Sequence, residues 1–328
     1  MARRYVLLLL GVFACSTAVI QIKASHTHPI LIAPIRLLLA VIFLAPIFWS
    51  NFREHRATYT RAHLKRTTVP AVVLAAHFIS WTFGARMTLA AQSSLIVNLS
   101  PIAIPFFLHS LVGERINRAE IVGTAIAIAG VVLLTAHDAL TRTGSFAGNI
   151  VCFVSMLLFA WYLALGRANR DFPSLWLYVV PVYFQAGLIC LLLAVPWIPT
   201  FEVTSSREWA LLLGMALVPT IVGHSLLNFS MRHFRGQIVS LCNVGQFLFA
   251  TAMAYVLFSE RPQPLFYAAS AVVVGGIALV VFSAPTAAPA PALNSRCDHL
   301  PRARRCRCAV GREKRTGFAR SEKFRFSQ

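Results

Sequence analysis

The sequence predicts an all-α membrane protein, with ten transmembrane helices arranged as two inverted five-helix repeats. Three observations predict it. Of 328 residues, 57% are hydrophobic and only 12% charged, whereas a soluble chain carries about 25% charged residues. The apolar residues fall in long blocks, and a run of ~17–25 of them is enough to cross the ~30 Å hydrocarbon layer as a helix. Strand-type alternation is absent, and lipid offers open backbone groups no hydrogen-bond partner, so helices are the expected element. The third observation is a pattern that recurs along the chain at an offset of 146 residues.

The blocks run at 5–22, 29–49, 69–85, 92–112, 119–136, 146–165, 175–195, 209–231, 237–258 and 264–283. Met1–Ala14 has the basic start and apolar stretch of a secretory signal. The apolar character continues to Ile22, which favours an uncleaved first span. Loop charges set the orientation, because short cytoplasmic loops accumulate Lys and Arg. With a cytoplasmic N-terminus, the inside segments hold Arg3 and Arg4; Arg53, Arg56, Arg61, Lys65 and Arg66; Arg115 and Arg118; Arg167 and Arg170; and Arg232 and Arg235. The outside loops hold one each, namely Lys23, Arg86, Arg142, Arg207 and Arg261. Every inside loop therefore exceeds every outside loop, and both termini are expected in the cytoplasm of a cytoplasmic (inner) membrane.

The net charge of +19 is explained by topology rather than by nucleic acid. Residues 284–328 hold eleven basic and three acidic residues after a Pro/Ala linker, and read as a disordered basic cytoplasmic tail. Four cysteines, Cys15, Cys152, Cys190 and Cys242, lie inside apolar blocks as small hydrophobes. Cys297, Cys306 and Cys308 in the tail match no common zinc spacing. No P-loop and no H-E-x-x-H or G-x-S-x-G motif occurs, which removes support for ATP-driven pumping and for the familiar intramembrane proteases. No cofactor or metal is implied.

The internal repeat pairs residues 111–134 with 257–280. Glu114-Arg115 matches Glu260-Arg261, and Gly130 matches Gly276, at the same offset. The halves are 1–138 and 139–283. Each holds five spans, an odd number, so the second is inverted relative to the first, an arrangement typical of transporters. The Glu-Arg pairs end one block and open the next turn. There a carboxylate would satisfy N–H groups of the following helix, a structural role.

These same residues carry a family resemblance. Gly113-Glu114-Arg115, Ile121-Val122-Gly123 and Gly130-Val131 resemble the end of an EamA domain of the drug/metabolite transporter superfamily. Asn98-Leu99-Ser100-Pro101 fits that family's fourth helix, and Pro29 with Arg36-Leu37-Leu38-Leu39-Ala40 its second. The resemblance covers 5–283. It implies ten helices, two EamA repeats and the export or exchange of small metabolites. The second repeat has Phe247 where the first has a proline, so the ninth span departs from the pattern.

Polar groups inside spans are costly and are therefore candidate site residues, although helices in lipid also use them to bind one another. Arg36 is the one charge well inside a block, seven residues and about 10 Å in from Pro29. It is either a snorkelling arginine that reaches headgroups or a neighbouring carbonyl, or a counter-charge for an anionic solute. His77 and Trp81 share a face of the third span, as His224 and Asn228 share a face of the eighth. Either they line a cavity or they join helices. Ser94, Asn98, Pro101 and Pro105 form one stripe of the fourth span, with Asn243 and Gln246 as the comparable pair on the ninth. Tyr162 and Gln185 are weaker candidates. The expected substrate-binding set is thus Asn98, Ser94, His77, Trp81, Arg36, Asn228, His224, Asn243 and Gln246.

The expected function is secondary transport of a small organic metabolite or drug by alternating access, with no enzymatic activity. The alternative is a non-transporting membrane solute sensor or an integral-membrane enzyme. The implied partners are a small-molecule solute and the lipid bilayer, not nucleic acid, and a homodimer is left open.

Overall fold

The computed structural model of the chain describes residues 2–113, 118–141, 145–201, 205–234 and 236–282. Glu114-Arg115 and the tail lie outside the described residues.

Among the described residues there is no strand, and every apolar block is helical. The first spans are α1 (Ala2–Ala24) and α2 (Pro29–Glu54). The short α3 (Arg61–Arg66) leads into α4 (Thr68–Met87). The fourth block is two helices, α5 (Ala90–Val97) and α6 (Ser100–Val112). Then come α7 (Arg118–Thr141), α8 (Ser145–Ala168) and α9 (Trp176–Ala194), closed by a 3₁₀ turn over Val195–Thr200. The eighth block begins as α10 (Ser206–Met215), widens to a π-helix over Ala216–His224, and ends as α11 (Ser225–His233). The ninth is again two helices, α12 (Gly236–Val244) and α13 (Gln246–Phe258), and the last is α14 (Pro264–Phe282). Eight of these stretches are long and apolar enough to cross a membrane, and 121–130 and 264–276 are shorter apolar helical segments.

The breaks have local causes. Pro101 has no N–H for the Val97 carbonyl, so the fourth span ends one helix at Val97 and starts another at Ser100. The ninth span breaks at Gly245 without a proline. Glycine is the poorest helix former after proline, which favours a break there. The departure at Phe247 therefore does not straighten the ninth span.

In a bilayer, apolar surface gives no preference for helix over lipid, so close packing and hydrogen bonds hold the bundle. α2 packs along α9, α4 along α8, and α7 along α14, while α1 lies against the π-helix, α11 and α13. α5 meets α13 and α6 meets α12. These pairings join residues 1–138 to residues 139–283. The two halves are thus interleaved in one compact unit rather than folded side by side. The repeated glycines sit at the α7–α14 contact: a Cβ on Gly130 would come 2.9 Å from Val273, and one on Gly276 2.6 Å from the Gly123 carbonyl. The outer surface is apolar, as at Ile42, Val72, Leu192 and Val256, while buried positions carry Asn, Ser, Thr and His.

Candidate solute site

Arg36 is turned inward by α2 and is fully buried, which ends the snorkelling reading. Its guanidinium lies 4.2 Å over the Phe78 ring. Its Nε donates to Thr220 Oγ1 at 2.9 Å. Thr220 stands there because of the preceding residue. Pro219 has no N–H for the Met215 carbonyl, and the helix widens to the π form around it. The Thr220 hydroxyl takes over that carbonyl at 2.7 Å and accepts from Arg36 on its other side. Tyr183 on α9 donates to the Thr220 carbonyl at 3.2 Å, fixing the same turn. Arg36 Nη1 and Nη2, by contrast, meet no acceptor of the protein.

His77 on α4 faces Ser155 on α8. Ser155 Oγ lies 3.1 Å from the His77 carbonyl and donates to it. His77 Nδ1 lies 3.0 Å from the Ser155 carbonyl, which only accepts. This pattern assigns the imidazole proton to Nδ1 and leaves Nε2 as an acceptor. The ring stacks on Phe159 at 4.9 Å and lies 6.3 Å from the His224 ring, which meets Phe78 edge-on.

Amides link the two broken spans. Asn243 Nδ2 donates to Asn98 Oδ1 at 2.7 Å, and Gln246 Nε2 donates to Asn243 Oδ1. Asn98 Nδ2 turns back to the Ser94 carbonyl at 2.8 Å. The relay ties the break in the first half to the break in the second.

Arg36, His77, Trp81, Asn98, His224 and Gln246 border one cavity of about 30 Å³, completed by Cys15, Ala18, Val97 and Phe159. That volume holds about two water-sized groups. None of these residues is acidic. The three other predicted residues, Ser94, Asn228 and Asn243, stand behind them. Asn228 donates to Tyr162 Oη at 2.7 Å and to the His224 carbonyl at 2.9 Å. The predicted stripes therefore converge, but only their inner members reach the cavity. A separate, open depression of about 460 Å³ is lined by Lys23, Ser25, His26, Arg86, Phe258 and Glu260.

The sequence profile of the EamA-like transporter family matches residues 3–136 and 146–282. The chain belongs to the EamA-like transporter family. It is a multi-pass membrane transporter. The pseudopaline exporter CntI from each of two strains of Pseudomonas aeruginosa is 24% identical over 233 residues, covering 70% of this chain and 77% of the relative. A protein of known crystal structure superposes with a TM-score of 0.62 at 16% identity, over 87% of this chain and 99% of that one. At that identity the likeness speaks for the fold alone.

Within this EamA protein, sequence reading missed Thr220, Ser155 and Phe159. The signal for Thr220 was present, since a proline followed by threonine inside an apolar block marks a freed carbonyl with a hydroxyl beside it. Glu260 acts at a helix start, as expected, but not at that of the following helix. Its Oε2 accepts from the N–H of Ala90, the first residue of α5, at 2.8 Å, and its Oε1 lies 3.1 Å from Lys23 Nζ. Gln185, the weaker candidate, donates to Thr67 Oγ1 at 2.8 Å, away from the cavity.

Proposed function

We propose that this EamA protein is a secondary transporter that moves a small organic solute across the cytoplasmic membrane by alternating access. The observation that carries this is the cavity itself. Polar groups from both halves meet there, at the two broken spans and the π-turn, where Asn98, Ser100, Thr220, His224, Asn243 and Gln246 are buried. Such interruptions mark solute sites in transporters built of repeats. Pockets for organic ligands usually measure ~300–1,000 Å³, so at about 30 Å³ the site is closed and the halves must part to admit a solute.

The helix pairings support the inverted-repeat reading, with halves at 1–138 and 139–283. Counting spans along the chain, the second packs on the seventh, the fourth on the ninth and the fifth on the tenth, all equivalent positions. The third packs on the sixth and the first on the eighth, which are exchanged equivalents. A two-fold relation between the halves produces that pattern, and it gives the molecule two related ways to open. The relatives' names speak for export. The loop charges favour a cytoplasmic location for both termini, which would put Lys23, Arg86 and Glu260 at the outer end.

Arg36, His77, Trp81, His224 and Gln246 are assigned to the solute, with Asn98, Ser94, Asn228 and Asn243 as supports. Solute flux into proteoliposomes of the purified chain tests the proposal. Flux that follows a solute gradient and is lost in Trp81→Ala at unchanged folded protein supports it. Ligand binding with no flux would favour a solute sensor.

A further inference from the structure

We propose that Arg36 is the anchor for a carboxylate on the transported solute, so that the substrate class is small organic anions or zwitterions. The inference rests on the transport reading above for its cargo, but on independent observations for its chemistry.

The first is the state of the guanidinium. Its Nε is held by Thr220 and its flat face by Phe78, so the group is oriented from two sides. Its two terminal nitrogens are fully buried and have no acceptor, and Arg36 is one of the residues that line the cavity. A guanidinium keeps its proton at every physiological pH. In a low-dielectric interior, a charge with neither a counter-charge nor full hydrogen bonding is strongly unfavourable. A position so fixed yet so incompletely bonded fits a partner that arrives from outside.

The second is the cavity's charge balance. Its lining includes one permanent cation and no carboxylate. Cys15, His77 and His224 are the other ionisable residues of the lining, with Tyr183 and Cys190 also near Arg36, and none supplies a standing negative charge. The missing charge therefore belongs to the ligand.

The third is shape. Nη1 and Nη2 form a planar fork whose spacing matches the two oxygens of a carboxylate. The cavity that Arg36 lines takes about two water-sized groups, the room that two carboxylate oxygens need. His77 Nε2 and Trp81 then border the remainder of the solute when the halves part. Phosphate would present more oxygens and a second charge to a site with a single cation. The carboxylate is thus the better match.

The test uses the full chain purified in lipid nanodiscs. The probes are acetate, propanoate and benzoate against their primary amides acetamide, propanamide and benzamide, with inorganic phosphate as a further arm. The expected result is thermal stabilisation by carboxylates, absent with the isosteric amides and weaker with phosphate. Arg36→Gln should lower carboxylate affinity about tenfold to a hundredfold. Arg36→Met should also melt at or above the wild-type temperature without ligand, because it removes an incompletely bonded buried charge. A guanidinium that merely braces α2 against the π-turn would melt lower. Equal stabilisation by acids and amides, stabilisation by none of the acids, a carboxylate preference that survives Arg36→Gln, or greater stabilisation by phosphate would each overturn the assignment. Flux of uncharged solutes alone would sink it while leaving transport intact. Carboxylate binding without flux would leave the site and remove transport.

Discussion

Asn98→Ala separates holding the bundle from holding the solute. Asn98 Oδ1 is the acceptor for Asn243 Nδ2 at 2.7 Å, and both residues are buried. Alanine leaves that donor without an acceptor. The Ser94 carbonyl, which loses Asn98 Nδ2, still takes the Asn98 backbone N–H at 3.2 Å, so it is not orphaned. One buried donor left unsatisfied costs ~1–3 kcal/mol. Interhelical hydrogen bonds within bilayers couple by ~0.6 kcal/mol on average and ~1.7 at most. We therefore expect Asn98→Ala to lower stability by about 1–2 kcal/mol. A double-mutant cycle with Asn243→Ala should return about 0.6–1.7 kcal/mol of coupling. The assay is reversible unfolding of the purified protein in mixed micelles, with flux per folded molecule measured alongside. Stability should fall while solute preference stays the same. Unchanged stability with altered solute preference, or strictly additive single changes, would refute the reasoning and return Asn98 to direct recognition.

Other outcomes follow from the same geometry. Glu208 holds the loop between α1 and α2, accepting from the His26 and Thr27 N–H groups, the Thr27 hydroxyl and the Ser25 hydroxyl. Glu208→Gln points an amide donor at those donors and should cost about 1–3 kcal/mol in the same unfolding titration. A Cβ on Gly84 would lie 2.7 Å from Cys152 Sγ. Gly84→Ala should therefore loosen the α4–α8 seam by ~1–3 kcal/mol, and Cys152→Ala in the same chain should restore part of it. Arg66 hydrogen-bonds Asp171 through both of its oxygens, and this holds the Asp171 carboxyl below the usual carboxylate range. A depressed acid stabilises the fold above its unfolded value of ~3.9, and that contribution is lost as pH falls through the folded value. Asp171→Asn should thus change the melting temperature slightly and equally at pH 7 and pH 5, with the difference from wild type vanishing only in stronger acid. The pair is solvent-exposed, so the effect should stay within ~0–1 kcal/mol.

What the chain spells out by itself is whatever depends on nearby residues. Each apolar block becomes helix because lipid leaves its backbone no other partner. Pro101 breaks the fourth span because it lacks an N–H. Gly130 and Gly276 marked matching places in the sequence repeat, and that both sit at a close helix approach came from the structure. Arg36 stood out because a charge in an apolar block is rare, and the inward faces of His77 and Trp81 followed from helical spacing. Partners were not legible, because periodicity gives a residue a face and not a neighbour, and apolar helices in lipid have no sequence-readable preference for one another. Only the tertiary structure set Asn98 against Asn243 and sent Glu260 to the start of α5. It alone set one side of Arg36 against Thr220, whose hydroxyl bonds the Met215 carbonyl that Pro219 leaves without a donor. It also decided which polar residues reach the cavity and which stand behind them, since that depends on the rotation and depth of helices that meet from opposite halves of the chain.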